Sequence, residues 1–122
     1  MSGRIHGFSP GDTVRVTRIV RNTPDAQTVT QAELIVKPTR DDLDSAAVMT
    51  LLVTPTASAA GQVTNTGSGL GSARRAQFHF TLTSVQTALL VADADYYFRV
   101  RVWTSGNERG TVESGFMTAD AG

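Results

Sequence analysis

The clearest pattern in the chain is an alternation of apolar and polar residues from Tyr96 to Trp103. Because successive side chains of a strand point to opposite faces, this alternation predicts a half-buried β-strand. One face is predicted to carry Tyr96, Phe98, Val100 and Val102, and the other Tyr97, Arg99, Arg101 and Trp103.

Similar alternation, or a short apolar run between turn residues, recurs along the chain. It predicts strands at 13–20, about 29–37, within 46–54, at 76–82, 96–104 and 111–118, with a short strand at 62–65. One helical turn is expected within 83–90, begun by Thr83 or Ser84 as N-cap. The core is predicted to include Val14, Val16, Leu34, Val36, Leu51, Phe78, Phe80, Leu82, Tyr96, Phe98, Val100 and Val102. An all-β, antiparallel sandwich of about seven strands accounts for this pattern.

The first ten residues stand outside the strand pattern. We predict an N-terminal arm at 1–10 and a sandwich domain at 11–122. The arm carries two large apolar residues, Ile5 and Phe8. Two alternatives are open for them: they fold back onto their own sandwich, or they reach a neighbouring subunit as interface residues.

Composition excludes several classes of function. The 122 residues include 11 basic and 11 acidic side chains, so no net charge draws the chain to nucleic acid. No apolar run approaches the roughly 20 residues that cross a membrane, and residues 1–10 contain no signal-peptide core. We therefore expect synthesis in a cytoplasm, with neither nucleic acid nor membrane as a partner. The absence of cysteine excludes disulfides and thiol chemistry.

No motif in the sequence predicts a catalytic residue, a cofactor or a metal site. The two histidines, His6 and His79, lie far apart in the sequence, and no serine sits in a nucleophile elbow. The acidic run 41–44 lacks the spacing of a calcium loop and is interpreted as a solvated connection. The glycine-rich run 67–75 lacks the lysine and following helix of a phosphate loop and is interpreted as a flexible loop tip. A second hypothesis is that Arg74 and Arg75 anchor this loop against a neighbouring subunit.

The polar side of the Tyr96–Trp103 pattern gives the main interface hypothesis. Tyr97, Arg99, Arg101 and Trp103 are of the residue types enriched in protein interfaces. The two arginines need acidic partners, and Glu113 on the closing strand is one candidate. The alternative is that strands favour aromatic residues in any case and that Trp103 covers one end of the sandwich.

Two sets of residues resemble known families. Leu90, Tyr96, Val100 and Val102 resemble the tyrosine corner of immunoglobulin-like and fibronectin type III sandwiches. Over the whole length, the order of motifs is similar to Ig-like domains of tailed-phage structural proteins, including the N-terminal domain of baseplate upper proteins. The matching segments are Gly11-Asp12-Thr13, Thr30–Lys37, Phe80–Thr83 and Tyr96–Val102. The resemblance implies an Ig-like antiparallel β-sandwich and a place in the virion.

The same resemblance implies a non-enzymatic structural protein. Baseplate proteins of that type continue beyond the sandwich, whereas this chain ends with it, so we expect a capsid decoration or cement protein. Its expected partners are the phage major capsid protein or other virion subunits, and it could form a homo-oligomer. The alternatives are a tail or baseplate adaptor and a fibronectin-like module that recognises a carbohydrate or a protein.

Overall fold

The computed structural model describes residues 2–21, 28–66, 75–105 and 108–121. A 3-10 helix spans Asp44–Ala46, and a single-turn α-helix, α1, spans Ser84–Thr87. The strands of the described part are β1 (Ser2–Ile5), β2 (Val14–Arg21), β3 (Val29–Lys37), β4 (Met49–Val53), β5 (Gly61–Thr66), β6 (Arg75–Leu82), β7 (Asp95–Thr104) and β8 (Arg109–Thr118).

Alternation along the strands places the apolar residues between two sheets. In β7, every second residue from Tyr96 to Thr104 is buried, as the sequence pattern predicts. All the residues predicted to face inward pack in the core, with Val14 at its margin. The largest buried side chains include Phe78, Phe80 and Phe98, and the rings of Phe78 and Phe80 meet edge to face at 5.6 Å.

The two sheets have the strand order of an immunoglobulin-type sandwich. One sheet has the order β1-β8-β7-β3-β4 and the other the order β2-β6-β5. Strands β3, β7 and β8 thus correspond to C, F and G of that fold, and β2, β6 and β5 to B, E and D. The all-β sandwich is confirmed, with eight strands in the described part instead of about seven. The sandwich is not entirely antiparallel, because β1 pairs with β8 in parallel.

The segment predicted as an arm contains β1 and contributes to the core. Ile5 pairs with Met117 of β8, and both Ile5 and Phe8 are buried in their own chain. Close approach of the two backbones explains the glycines here, because a Cβ on Gly115 would collide with the backbone of Gly3. In the structure, this segment therefore folds back onto its own sandwich, which is the first of the two alternatives.

The connection between β6 and β7 confirms the predicted helical turn and tyrosine corner. Thr83 caps α1, and its side chain and that of Gln86 satisfy each other's backbone N–H groups in a capping box. The backbone N–H of Val91 then donates to the hydroxyl oxygen of Tyr96 at 2.9 Å, next to the buried Leu90. This hydrogen bond holds the chain where it enters β7.

Candidate functional site

The outward surface of the five-stranded sheet, called here the outer face, carries the row predicted on β7. Strand register aligns this row with residues of β8, β3 and β4. From one end of β7 to the other, the aligned sets are Phe116-Tyr97-Lys37, Ser114-Arg99-Ile35-Thr50, Thr111-Arg101-Glu33-Leu52 and Arg109-Trp103-Gln31. The outward direction of Tyr97, Arg99, Arg101 and Trp103 is confirmed, so none of them belongs to the core between the sheets.

Carboxylates of the same chain neutralise two arginines of the outer face, Arg99 and Arg101. Arg101 donates from Nε and Nη2 to one carboxylate oxygen of its cross-strand neighbour Glu33, at 3.2 and 2.8 Å. Arg99 Nη2 donates to Asp44 Oδ2 at 3.0 Å, and Arg101 Nη2 lies 3.6 Å from the same oxygen. The arginines are therefore held in fixed positions, and their side chains are less than one fifth exposed.

Asp44 reaches this network from the connection between β3 and β4. Its other oxygen accepts from Lys37 Nζ at 3.3 Å, and Lys37 also donates to the backbone oxygen of Asp42 at 2.8 Å. Desolvation raises the pKa of the Asp44 carboxyl, but hydrogen bonds and charges from Arg99 and Lys37 outweigh it, so this pKa lies below its ordinary value. Asp44 is therefore a structural ion-pair partner.

Aromatic residues flank the charged network at both ends of β7. The Lys37 ammonium lies 5.5 Å from the centroid of the Tyr97 ring, and the Arg101 guanidinium lies 5.5 Å from that of Trp103. Two large apolar side chains, Leu52 on β4 and Phe116 on β8, are about half exposed on this face. Together these residues form a rigid surface of arginine and aromatic groups bordered by exposed apolar side chains.

The predicted pairing of the outer-face arginines with Glu113 is wrong. A bulge in β8 between the partners of Val100 and Arg101 shifts the register, so Glu113 lies opposite inward-facing Val100. Glu113 is buried between the sheets, and its carboxylate accepts from Nε and Nη2 of Arg18 on β2. The pair therefore links the two sheets.

A second surface, called here the β1–β2 groove, lies between β1 and β2, which are edge strands of the two different sheets. It has a volume of about 220 Å³. Three apolar residues, three arginines and one histidine line it: Ile5, Val14 and Val16, with Arg4, Arg15 and Arg18, and His6. Arg4 Nη2 lies 4.0 Å from Asp95 and both side chains are more than half exposed, whereas Arg15 makes no hydrogen bond or ion pair within the described part of the chain. Arg15 therefore leaves positive charge available at the groove.

Of the remaining predicted interface residues, those that the structure describes do not lie on the outer face. Ile5 lines the groove from within the core, and Phe8 is buried. Arg75 begins β6, so its backbone belongs to the sheet opposite the outer face. Arg74 lies outside the described residues, as does most of the glycine-rich run, so its predicted role stays a prediction.

Several residues of the two surfaces were not predicted from the sequence, although the sequence pattern contains an indication of some of them. The run Leu34-Ile35-Val36 interrupts alternation in β3, and Ile35 is indeed buried on the outer face. An apolar residue at an outward position indicates a covered sheet surface. Asp44 left no comparable signal, because its role depends on the path of the connection after β3.

His6 and His79 lie in different parts of the fold. No group of three or more His, Cys, Asp or Glu residues in this part of the chain could hold a metal ion. His79 lies on β6 in the sheet opposite the outer face, and His6 lies at the groove. Neither short helix of the described ranges is long and apolar enough to cross a membrane.

No protein-family model matches the chain, and no curated protein matches it. The strand order therefore defines the fold class, while the resemblance to Ig-like phage domains stays a prediction.

Proposed function

We propose that this chain is a non-enzymatic structural protein of a tailed-phage virion, and specifically a decoration or cement protein that binds capsid subunits. The observation that carries the binding role is the outer face, with its fixed arginines, its aromatic side chains and its exposed apolar border. Residues of these types are enriched where protein interfaces are most strongly bound. The virion setting rests on the order of motifs along the sequence.

A fixed charge network suits a binding surface for physical reasons. Long arginine side chains lose rotamer freedom when a partner orders them, and this cost opposes binding. Here Glu33 and Asp44 have already ordered Arg99 and Arg101. A capsid subunit would then cover apolar side chains such as Leu52 and Phe116, and binding only to the expanded shell would stabilise that shell by mass action.

The test is cosedimentation of the purified protein with empty, expanded capsids and with isolated tails of the phage that encodes it. We expect saturable binding of many copies to capsids and a raised melting temperature of the shell. Binding of a few copies to tails would instead support an adaptor role. Binding to neither would contradict the virion proposal and favour the recognition module.

Matched variants locate the binding surface. Leu52→Glu places a charge on the outer face, and Leu89→Glu places one near α1, where the leucine is similarly exposed, at 57% against 48% for Leu52. We expect Leu52→Glu to abolish capsid binding and Leu89→Glu to preserve it, with both variants folded by circular dichroism. Equal binding by the two variants would contradict the assignment of the outer face.

A further inference from the structure

Strand β2 has an unpaired edge beside the β1–β2 groove. It is eight residues long and, within the described residues, pairs only with β6. In an immunoglobulin-type sheet of order A-B-E-D, a strand A would lie against this edge. Here the first strand, β1, pairs with β8 of the other sheet. On the outer edge of β2, the C=O of Thr17 accepts from Arg18 Nη1 at 2.9 Å. The other main-chain groups of this edge have no partner within the described residues and are available to an added strand.

The charges on β2 discriminate among strands that could be added. Arg15 points outward from the strand, and Arg18 points inward to Glu113. Two copies of β2 brought edge to edge would place the arginines of both strands close together, and like charges on paired strands repel each other. An inward charge on an edge strand also opposes indiscriminate pairing. A second copy of this chain is therefore a poor occupant, and an acidic strand is a favourable one.

The groove supplies side-chain contacts for such a strand. Its floor is apolar, from Ile5, Val14 and Val16, and its border carries Arg4 and Arg15. A strand with alternating residues would direct apolar side chains to the floor and carboxylates to the arginines. In strand addition of this kind, main-chain hydrogen bonds give affinity and the side-chain contacts give specificity.

We infer that the β1–β2 groove binds an extended acidic segment of a partner protein, which adds a strand to the free edge of β2. The source of that segment, a neighbouring virion subunit, rests on the proposed function. The chemistry of the site does not, since it follows from the unpaired edge, the apolar floor and the arginines. Binding would extend the β2-β6-β5 sheet to four strands.

The first experiment is a titration of the labelled full chain by nuclear magnetic resonance. The probe is a capped peptide of eight residues, the length of β2. Valine occupies every second position of this peptide, and glutamate and threonine occupy the positions between. Two control peptides have lysine in place of glutamate, or the same composition without alternation. We expect shifts confined to residues 2–6 and 14–20, and slowed amide exchange on β2, with the alternating glutamate peptide alone.

Charge-reversal variants distinguish binding at the groove from general electrostatic attraction of the peptide to the chain. Arg15→Glu changes the groove, and Arg40→Glu makes the same change at an exposed residue that does not line it. We expect Arg15→Glu to weaken the glutamate peptide about tenfold and to make the lysine peptide the better ligand. Arg40→Glu should leave the affinity unchanged.

Each outcome bears on the inference separately from the proposed function. No peptide binding at millimolar concentration, equal binding of all three peptides, or equal effects of the two variants would overturn it. Peptide-induced dimers of the chain would also overturn it, because they would make a second copy the occupant. Capsid binding that Arg15→Glu leaves intact would overturn the virion source of the strand while the decoration role stands.

Discussion

The outer face and the β1–β2 groove both carry arginines, but the two regions differ in the carboxylates that bind those arginines. On the outer face, Glu33 and Asp44 bind Arg101 and Arg99 from neighbouring positions of the same chain. At the groove, the described part of the chain gives Arg15 no acidic partner and gives Arg4 only a distant one. Arg99 and Arg101 are therefore neutralised on the outer face, whereas Arg15 and Arg4 leave positive charge available at the groove beside the paired Arg18.

This difference indicates which kind of partner each surface fits. A partner of the outer face gains mainly from covering aromatic and apolar groups, because the charges of Arg99 and Arg101 are already paired with carboxylates. A partner of the groove gains by bringing carboxylates and a main chain that can pair. Substitutions that act on one region and leave the other intact can therefore test the comparison.

The largest effect is expected at the contact that seats β1 against β8. Gly115→Ala would drive a methyl group into the backbone of Gly3, and such overpacking costs about 2 to 3 kcal/mol of unfolding free energy. Gly110→Ala, on the same strand, meets open space and should change stability by less than about 0.5 kcal/mol. Urea unfolding of both variants measures the difference.

The same pair of variants also separates the two regions. Displacement of β1 should shift the resonances of Ile5 and Val16 at the groove while the Trp103 indole signal stays unchanged. A large shift of Trp103 in Gly115→Ala would show that the groove and the outer face are coupled.

An intermediate effect is expected from breaking the ion pair between the sheets. Glu113→Ala leaves Arg18 unpaired next to the core, and Arg18 is 30% exposed, so we expect a loss of about 2 kcal/mol of unfolding free energy. Glu33→Ala on the outer face should cost about 1 kcal/mol or less, because Arg101 keeps its contacts with Asp44 and Trp103. Urea unfolding at neutral pH compares the two, and equal losses would contradict the distinction between the buried pair and the surface network.

The alternation of β7 explains why most of the fold could be predicted from the sequence. Tyr96, Phe98 and Val100 each contribute to the core through local periodicity, and the tyrosine corner follows from a short local spacing. The pairing of Glu113 could not be predicted in the same way, because one bulge in β8 reverses the face on which a residue lies. The position of β1 in the fold could not be predicted from the sequence either, because β1 pairs in parallel with β8, which is distant in the sequence.

The candidate site was predictable to a similar, limited extent. The row from Tyr97 to Trp103 follows from strand periodicity alone. Its acidic partners come from a different strand, Glu33, and from a connection, Asp44, so strand register and loop path decide them. The groove combines β1 and β2, which belong to different sheets, and no pattern within either strand indicates that they meet.

The smallest effect is expected at Asp44 and depends on pH. Because the folded-state pKa of this carboxyl is lowered, its contribution to stability is present above its ordinary value and is lost as pH falls through the folded value. Asp44→Asn should therefore be less stable than the native chain at pH 7, by about 1 kcal/mol at most for an ion pair exposed to solvent. Thermal unfolding should show that the difference closes below about pH 4; a difference that persists at the lowest pH would indicate a role other than ion pairing.

The most direct test of the central comparison is the hydrogen exchange of the arginine Nε–H groups, followed by nuclear magnetic resonance. Nε of Arg101 donates to Glu33, and Nε of Arg99 is buried. Arg15, in contrast, is exposed and makes no hydrogen bond within the described residues. The comparison predicts slow exchange for Arg99 and Arg101 and rapid, solvent-like exchange for Arg15. Equal rates for Arg15 and Arg101 would contradict it.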